Sequence, residues 1–76
     1  MITIYTRNGC SFCEDIKFFM KQNGIKFLEK NLSEKKIYYD ELVELGATGV
    51  PYTLIKNQSY TGFNEIVKTE LSNYDK

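Results

Sequence analysis

Seventy-six residues set the scale of one small domain with a modest core and marginal stability. Ten Lys and Arg balance ten Asp and Glu, and His is absent, so the net charge is zero. A nucleic-acid binder needs excess positive charge to meet phosphates, and this balance argues against that class. The 42% apolar content is ordinary for a globular domain, and no apolar run approaches the roughly 20 residues that span a bilayer.

Ile2-Thr3-Ile4-Tyr5-Thr6 alternates apolar with polar or β-branched side chains and predicts a first strand. A strand beginning at residue 2 leaves no room for a signal peptide, so a cytoplasmic protein is expected, where structural disulfides are rare. Arg7-Asn8-Gly9 breaks the strand. Ile16, Phe19 and Met20, at spacings of three and four, predict a helix that ends at Asn23-Gly24. Ile25 to Lys30 reads as a second strand. Lys30, Lys35 and Lys36 cluster after it, but Glu29 and Glu34 sit among them, as on a solvated face of mixed sign. Ser33 is the predicted N-cap of a second helix, with Tyr38, Leu42 and Leu45 on one face and Gly46 at its end. Tyr52 to Ile55 and Ser59 to Thr61 are short strands around a Lys56-Asn57-Gln58 turn. Asn64 is the predicted cap of a last helix that carries Val67 and Leu71.

The order is therefore βαβαββα. The first two strands, joined through a helix, should lie parallel with a right-handed crossover, and the hairpin adds two more, at least one of them antiparallel. An α/β fold follows: a four-stranded mixed sheet flanked by three helices, with residues 1–76 as a single domain. This order resembles a minimal thioredoxin-like fold.

Cys10-Ser11-Phe12-Cys13 opens the first predicted helix. A C-x-x-C between a strand and a helix has a redox mechanism. At a helix N-terminus the unpaired backbone N–H groups and the dipole favour an anion. A thiolate there titrates below the ordinary value of about 8.5. Arg7 supports the anion, whereas Glu14 and Asp15 oppose it, so Cys10 is expected to be lowered without reaching the extreme. Cys10 is the candidate nucleophile and Cys13 the resolving thiol. Other readings of the pair are weaker. Zinc needs four ligands, and two cysteines without a histidine do not supply them. A structural disulfide across two residues constrains little chain. Two buried core cysteines remain the bland alternative.

Thr48-Gly49-Val50-Pro51 holds the only proline, just before an apolar strand. It reads as a strand start or as a cis bond between Val50 and Pro51.

Taken together, Ile2 to Thr6, Arg7-Asn8-Gly9-Cys10-Ser11-Phe12-Cys13, Thr48-Gly49-Val50-Pro51 and Thr61-Gly62-Phe63-Asn64-Glu65 resemble a bacterial glutaredoxin. Within that group they are similar to the glutaredoxin-like NrdH redoxins. The resemblance implies a thioredoxin fold, a cis Pro51 beside the cysteines, and a substrate that pairs with the backbone of Val50. It implies dithiol–disulfide oxidoreductase activity toward a disulfide-containing protein by a monomer, with no metal and no tightly bound cofactor. Glutathione, as reductant, would be held by Arg7, Phe12, Val50 and Phe63-Asn64-Glu65. Asn64 stands where an aspartate would meet the tripeptide's amino group, which weakens that binding. The NrdH redoxins instead draw electrons from thioredoxin reductase and pass them to ribonucleotide reductase. Phe63 is either a core or staple residue of the last helix or a binding residue, and Tyr60 is equally open. The alternative function is a glutathione-dependent [2Fe–2S] cluster held between two monomers, which resembles glutaredoxins with serine after the first cysteine.

Overall fold

The computed structural model describes residues 2–74. Its elements are β1 (Ile2–Thr6), α1 (Ser11–Gln22), β2 (Phe27–Asn31), α2 (Lys36–Glu44), β3 (Tyr52–Ile55), β4 (Gln58–Thr61) and α3 (Glu65–Asn73). The strands form one mixed sheet in the order β2-β1-β3-β4. β1 is parallel to β2, because α1 carries the chain back along the sheet, and antiparallel to β3. β3 and β4 form the antiparallel hairpin. This is the α/β arrangement expected from the sequence.

Side chains alternate across a strand, so each strand feeds two cores. On one face Ile2 and Ile4 of β1 and Ile55 of β3 meet Ile16 and Met20 of α1 and Val67 and Leu71 of α3. On the other, Tyr5 and Tyr52 pack with Leu42 of α2. α1 and α3 therefore cover one face and α2 the other.

Both of the first two helices end on a glycine at positive φ, Gly24 and Gly46. Ile25 N–H reaches the Met20 carbonyl and Gly24 N–H that of Lys21; Ala47 reaches Leu42 and Gly46 reaches Val43. These are paired Schellman closures, which satisfy carbonyls that a helix end leaves open and need a left-handed residue to do so.

Several boundaries differ from expectation, each for a local reason. Ile25 belongs to the closure of α1 and to the core, so β2 begins at Phe27. Ser33 does not cap α2; the cap is Lys35, which makes no side-chain capping bond. The Ser33 hydroxyl instead accepts the backbone N–H of Asn8 at 3.0 Å. Leu45 lies at the C-cap and is exposed rather than on the buried face. Gln58 pairs with Ile55, which shortens the hairpin loop to Lys56-Asn57, with Lys56 at φ 56°.

Thr53 is fully buried, and its hydroxyl is a buried side-chain polar atom with no hydrogen-bond partner among the described residues. An unsatisfied hydroxyl costs about 1–3 kcal/mol. Thr53→Val keeps the shape and removes that cost. Thermal unfolding should show Tm raised by roughly 4–8 °C, the shift that about 1 kcal/mol gives a domain of this size; a lowered Tm would mean that the hydroxyl is satisfied in solution.

Candidate active site

The site is built at the end of the sheet where β1 stops and α1 starts. Leu32 N–H binds the Thr6 carbonyl at 2.8 Å, extending the parallel pairing by one bond. The loop that follows is then tied to the chain after β2. Asn31 donates its amide N–H to Asn8 Oδ1 at 3.0 Å, while its own Oδ1 accepts Ser33 N–H at 2.8 Å. Together with the bond from Asn8 N–H to Ser33, these fix the turn from which Cys10 emerges.

Cys10 is the N-cap of α1. Its carbonyl accepts Glu14 N–H at 3.1 Å, and its Sγ accepts Cys13 N–H at 3.1 Å. Sulfur thus occupies the position where Ser, Thr, Asp or Asn oxygens ordinarily cap a helix. Cys10 and Cys13 are joined as a disulfide with Cα atoms 5.2 Å apart. Cys10 is half-buried, whereas Cys13 is 0% exposed. Only one of the two sulfurs is presented to a partner.

Val50-Pro51 is cis. Pro51 is buried, and its carbonyl accepts Gly62 N–H at 2.8 Å, which draws the β4–α3 turn against it. Arg7 and Val50 line one groove beside this end of the sheet. Phe63 lies on the other side, 5.7 Å from Phe19 between ring centroids, in a second groove of about 500 Å³ with Asp15, Phe18 and Lys68. Phe63 and Tyr60 both pack against the larger core, so each has the structural role that the sequence left open. At N4, where an apolar staple partner would sit, the Lys68 ammonium lies 5.3 Å from the Phe63 ring centroid. Asn64 caps α3, accepting Val67 N–H on Oδ1 at 3.0 Å. Phe12 is 59% exposed on the first turn of α1. Of the expected residues, Arg7 and Val50 line one groove and Phe63 the other, and sequence reasoning missed Phe18, Leu32, Tyr39 and Val43 as groove walls. For Phe18, Tyr39 and Val43 the signal was a position off the core-facing stripe of α1 and α2.

A charged cluster lies one helical turn from Cys13. Thr6 Oγ1 donates to Glu29 Oε2 at 2.6 Å, and Lys17 Nζ donates to the same oxygen at 3.0 Å and pairs with Glu14 at 2.9 Å. Partial burial pulls the Glu29 carboxyl upward. The bonds from Thr6 and Lys17 and the nearby lysine charges outweigh it and hold the group below its ordinary value. Across the sheet, Glu41 Oε1 accepts from Lys30 at 2.7 Å and from the Tyr5 hydroxyl at 2.8 Å; the bond from Lys30, and then that from Tyr5, lower its carboxyl as well.

Fold and disulfide together place the molecule among the thioredoxin-like thiol–disulfide oxidoreductases. The glutaredoxin family model matches residues 2–60, and the chain belongs to that family. It is 27% identical over 63 residues to the glutaredoxin-like protein NrdH of Lactococcus lactis subsp. cremoris, covering 83% of this chain and 88% of that one. It is 34% identical over 67 residues to the N-acetyl-S-hydroxy-L-cysteine reductase of Bacillus subtilis, covering 86% and 72%. The solved NrdH-redoxin of Escherichia coli, a glutaredoxin-like protein described for its thioredoxin-like activity profile, superposes with a TM-score of 0.82 at 30% identity over 92% of each chain. Among the described residues, no helix is long and apolar enough to cross a membrane.

The direction of the Glu29 shift gives a stability prediction. A carboxyl lowered in the folded state contributes stability that is present above its unfolded pKa of about 4.3 and is lost as pH falls through the folded value. Glu29→Gln should lower Tm at pH 7 by a few degrees and flatten the loss of stability toward pH 3. Urea unfolding at both pH values checks this. An equal difference between the two proteins at pH 7 and pH 3 would remove Glu29 from the acid response.

Proposed function

We propose that the chain reduces the disulfides of cytoplasmic proteins by two-thiol exchange at Cys10 and Cys13, with a ribonucleotide reductase as one recipient. The observation that supports this most is the asymmetry of the pair: a half-buried Cys10 at the start of α1, with its partner wholly buried. The Cys10 thiolate attacks one sulfur of the substrate disulfide, forming a mixed disulfide and releasing the other substrate sulfur, which takes up a proton. Cys13 then gives up its proton and attacks Cys10 Sγ. The intramolecular disulfide closes and the second substrate thiol leaves. Two electrons and two protons pass to the substrate, and an external reductant restores them.

The first-turn N–H groups of α1 favour the thiolate at Cys10. We assign substrate contact to Arg7, Phe12, Val50, Pro51 and Phe63, of which Arg7 and Val50 line one groove and Phe63 another, and to the Asn64 amide, which keeps its two N–H donors for the same purpose. The names of the NrdH relatives and the likeness to the Escherichia coli NrdH-redoxin favour thioredoxin reductase over glutathione as the electron source. The neutral side chain of Asn64 points the same way, because it offers glutathione's ammonium no ion pair. No observation favours the cluster-bridged dimer.

Cys10→Ser should bring disulfide reduction to the uncatalysed background, whereas Cys13→Ser should accumulate a mixed disulfide visible by mass spectrometry. Full turnover in the first variant would reassign the nucleophile. The rate of attack should rise with pH to a plateau whose midpoint lies below about 8.5. When the oxidised protein is offered NADPH with thioredoxin reductase, or with glutathione and its reductase, the first couple should consume NADPH faster. Faster consumption by the second would assign glutathione as the donor.

A further inference from the structure

Among the described residues two polar side chains are fully buried, Thr6 and Thr53. The Thr6 hydroxyl is committed to Glu29, whereas that of Thr53 has no partner among those residues. Buried hydroxyls are as a rule hydrogen-bonded, and valine would fill the same space without the cost. Strand register shows where the Thr53 side chain lies. Thr53 stands opposite Ile4 of β1 and Tyr60 of β4. Side chains alternate, so Thr53 shares a face with Ile4 and Ile55, both of which pack in the core that Ile16 and Met20 of α1 close. The buried stripe of α1 is Cys13, Ile16 and Met20. Because α1 runs back along β1, that stripe meets the sheet first with Cys13, at the end where β1 stops and β3 begins. Thr53, the second residue of β3, lies at that end.

In this structure Cys13 is held in the disulfide, and its sulfur carries no proton. Reduction changes the polar groups of this face at that one atom. Cys13 gains an S–H donor, and in the second step of exchange it becomes a thiolate, which is a strong acceptor. Cys13 is 0% exposed, so solvent does not reach either form. We propose that the Thr53 hydroxyl is the internal partner of reduced Cys13, accepting from the thiol in the resting dithiol and donating to the thiolate as it attacks the mixed disulfide. The inference rests on the oxidoreductase reading above and adds a positioning residue to its second step. Thr53 keeps its own proton throughout. The Cys13 proton goes to the departing substrate sulfur, and the electron pair of the Cys13 thiolate forms the bond to Cys10 Sγ. A hydroxyl paired in the dithiol and unpaired in the disulfide stabilises the reduced form over the oxidised one, which raises the reduction potential of the pair.

The test brings the full-length chain, Thr53→Val and Thr53→Ser to equilibrium with reduced and oxidised dithiothreitol, and counts free cysteines by alkylation and mass. Thr53→Val should shift the equilibrium about tenfold toward the disulfide, equivalent to a potential lower by about 30 mV for this two-electron couple. Thr53→Ser retains the hydroxyl and should stay close to the unaltered chain. The mixed disulfide formed with a synthetic peptide disulfide should resolve several-fold more slowly in the valine variant and not in the serine variant. The rise in Tm expected of Thr53→Val should be confined to the oxidised chain, because only there is the hydroxyl unpaired. Circular dichroism verifies that both variants fold. Equal potentials for the valine variant and the unaltered chain, or a serine variant shifted as far as the valine one, would overturn the pairing of Thr53 with Cys13. So would an equal rise in Tm in both oxidation states. Failure of the unaltered dithiol to reduce the peptide disulfide would instead overturn the oxidoreductase reading beneath it.

Discussion

The structure turns on a sulfur acting as a helix cap. An α-helix begins with backbone N–H groups that its own carbonyls cannot reach, and here one of them, that of Cys13, points at Cys10 Sγ. The atom that caps the helix is the same one that the proposed exchange needs as a thiolate. Everything around it fixes where the helix begins. Upstream, the Asn8, Asn31 and Ser33 ties hold the turn after β1. Downstream, Ile16 and Met20 press α1 onto the sheet. Across the gap, the Pro51 carbonyl is secured by Gly62.

A neutral chain of this size has little core to hold such a turn in place, and the two faces of the sheet contribute through charge as well as packing. Each face carries a carboxylate that accepts from both a hydroxyl and an ammonium: Thr6 and Lys17 at Glu29, Tyr5 and Lys30 at Glu41. Both tie an adjoining element to β1 or β2. A residue that anchors a loop is not free to cap a helix, as Ser33 shows: its hydroxyl serves Asn8, and α2 starts later without a side-chain cap.

Ser33 also marks the limit of what the sequence discloses. The order of elements was legible because it rests on local patterns: alternation in Ile2–Thr6, three- and four-residue spacing in α1, and glycines where helices close. The cysteine pair was legible for the same reason, since its mechanism depends on neighbours within one turn. What eluded sequence reasoning depends on residues far apart in the chain. Nothing near Ser33 indicates that Asn8 will claim it. Nothing near Tyr39 or Val43 indicates that Arg7 will arrive opposite them, nor does the Phe63 pattern alone predict Phe19 as its neighbour.

The full burial of Cys13 has a consequence for how the molecule withstands oxidants. Peroxide in the surrounding water meets the Cys10 sulfur first, and the first product there is a sulfenic acid. That group condenses with a neighbouring thiol to give a disulfide and water before further oxygen can be added. Cys13, shielded from solvent and three residues away, is the thiol at hand. Damage of this kind therefore ends in the ordinary oxidised form, which any reductant of the normal cycle reverses.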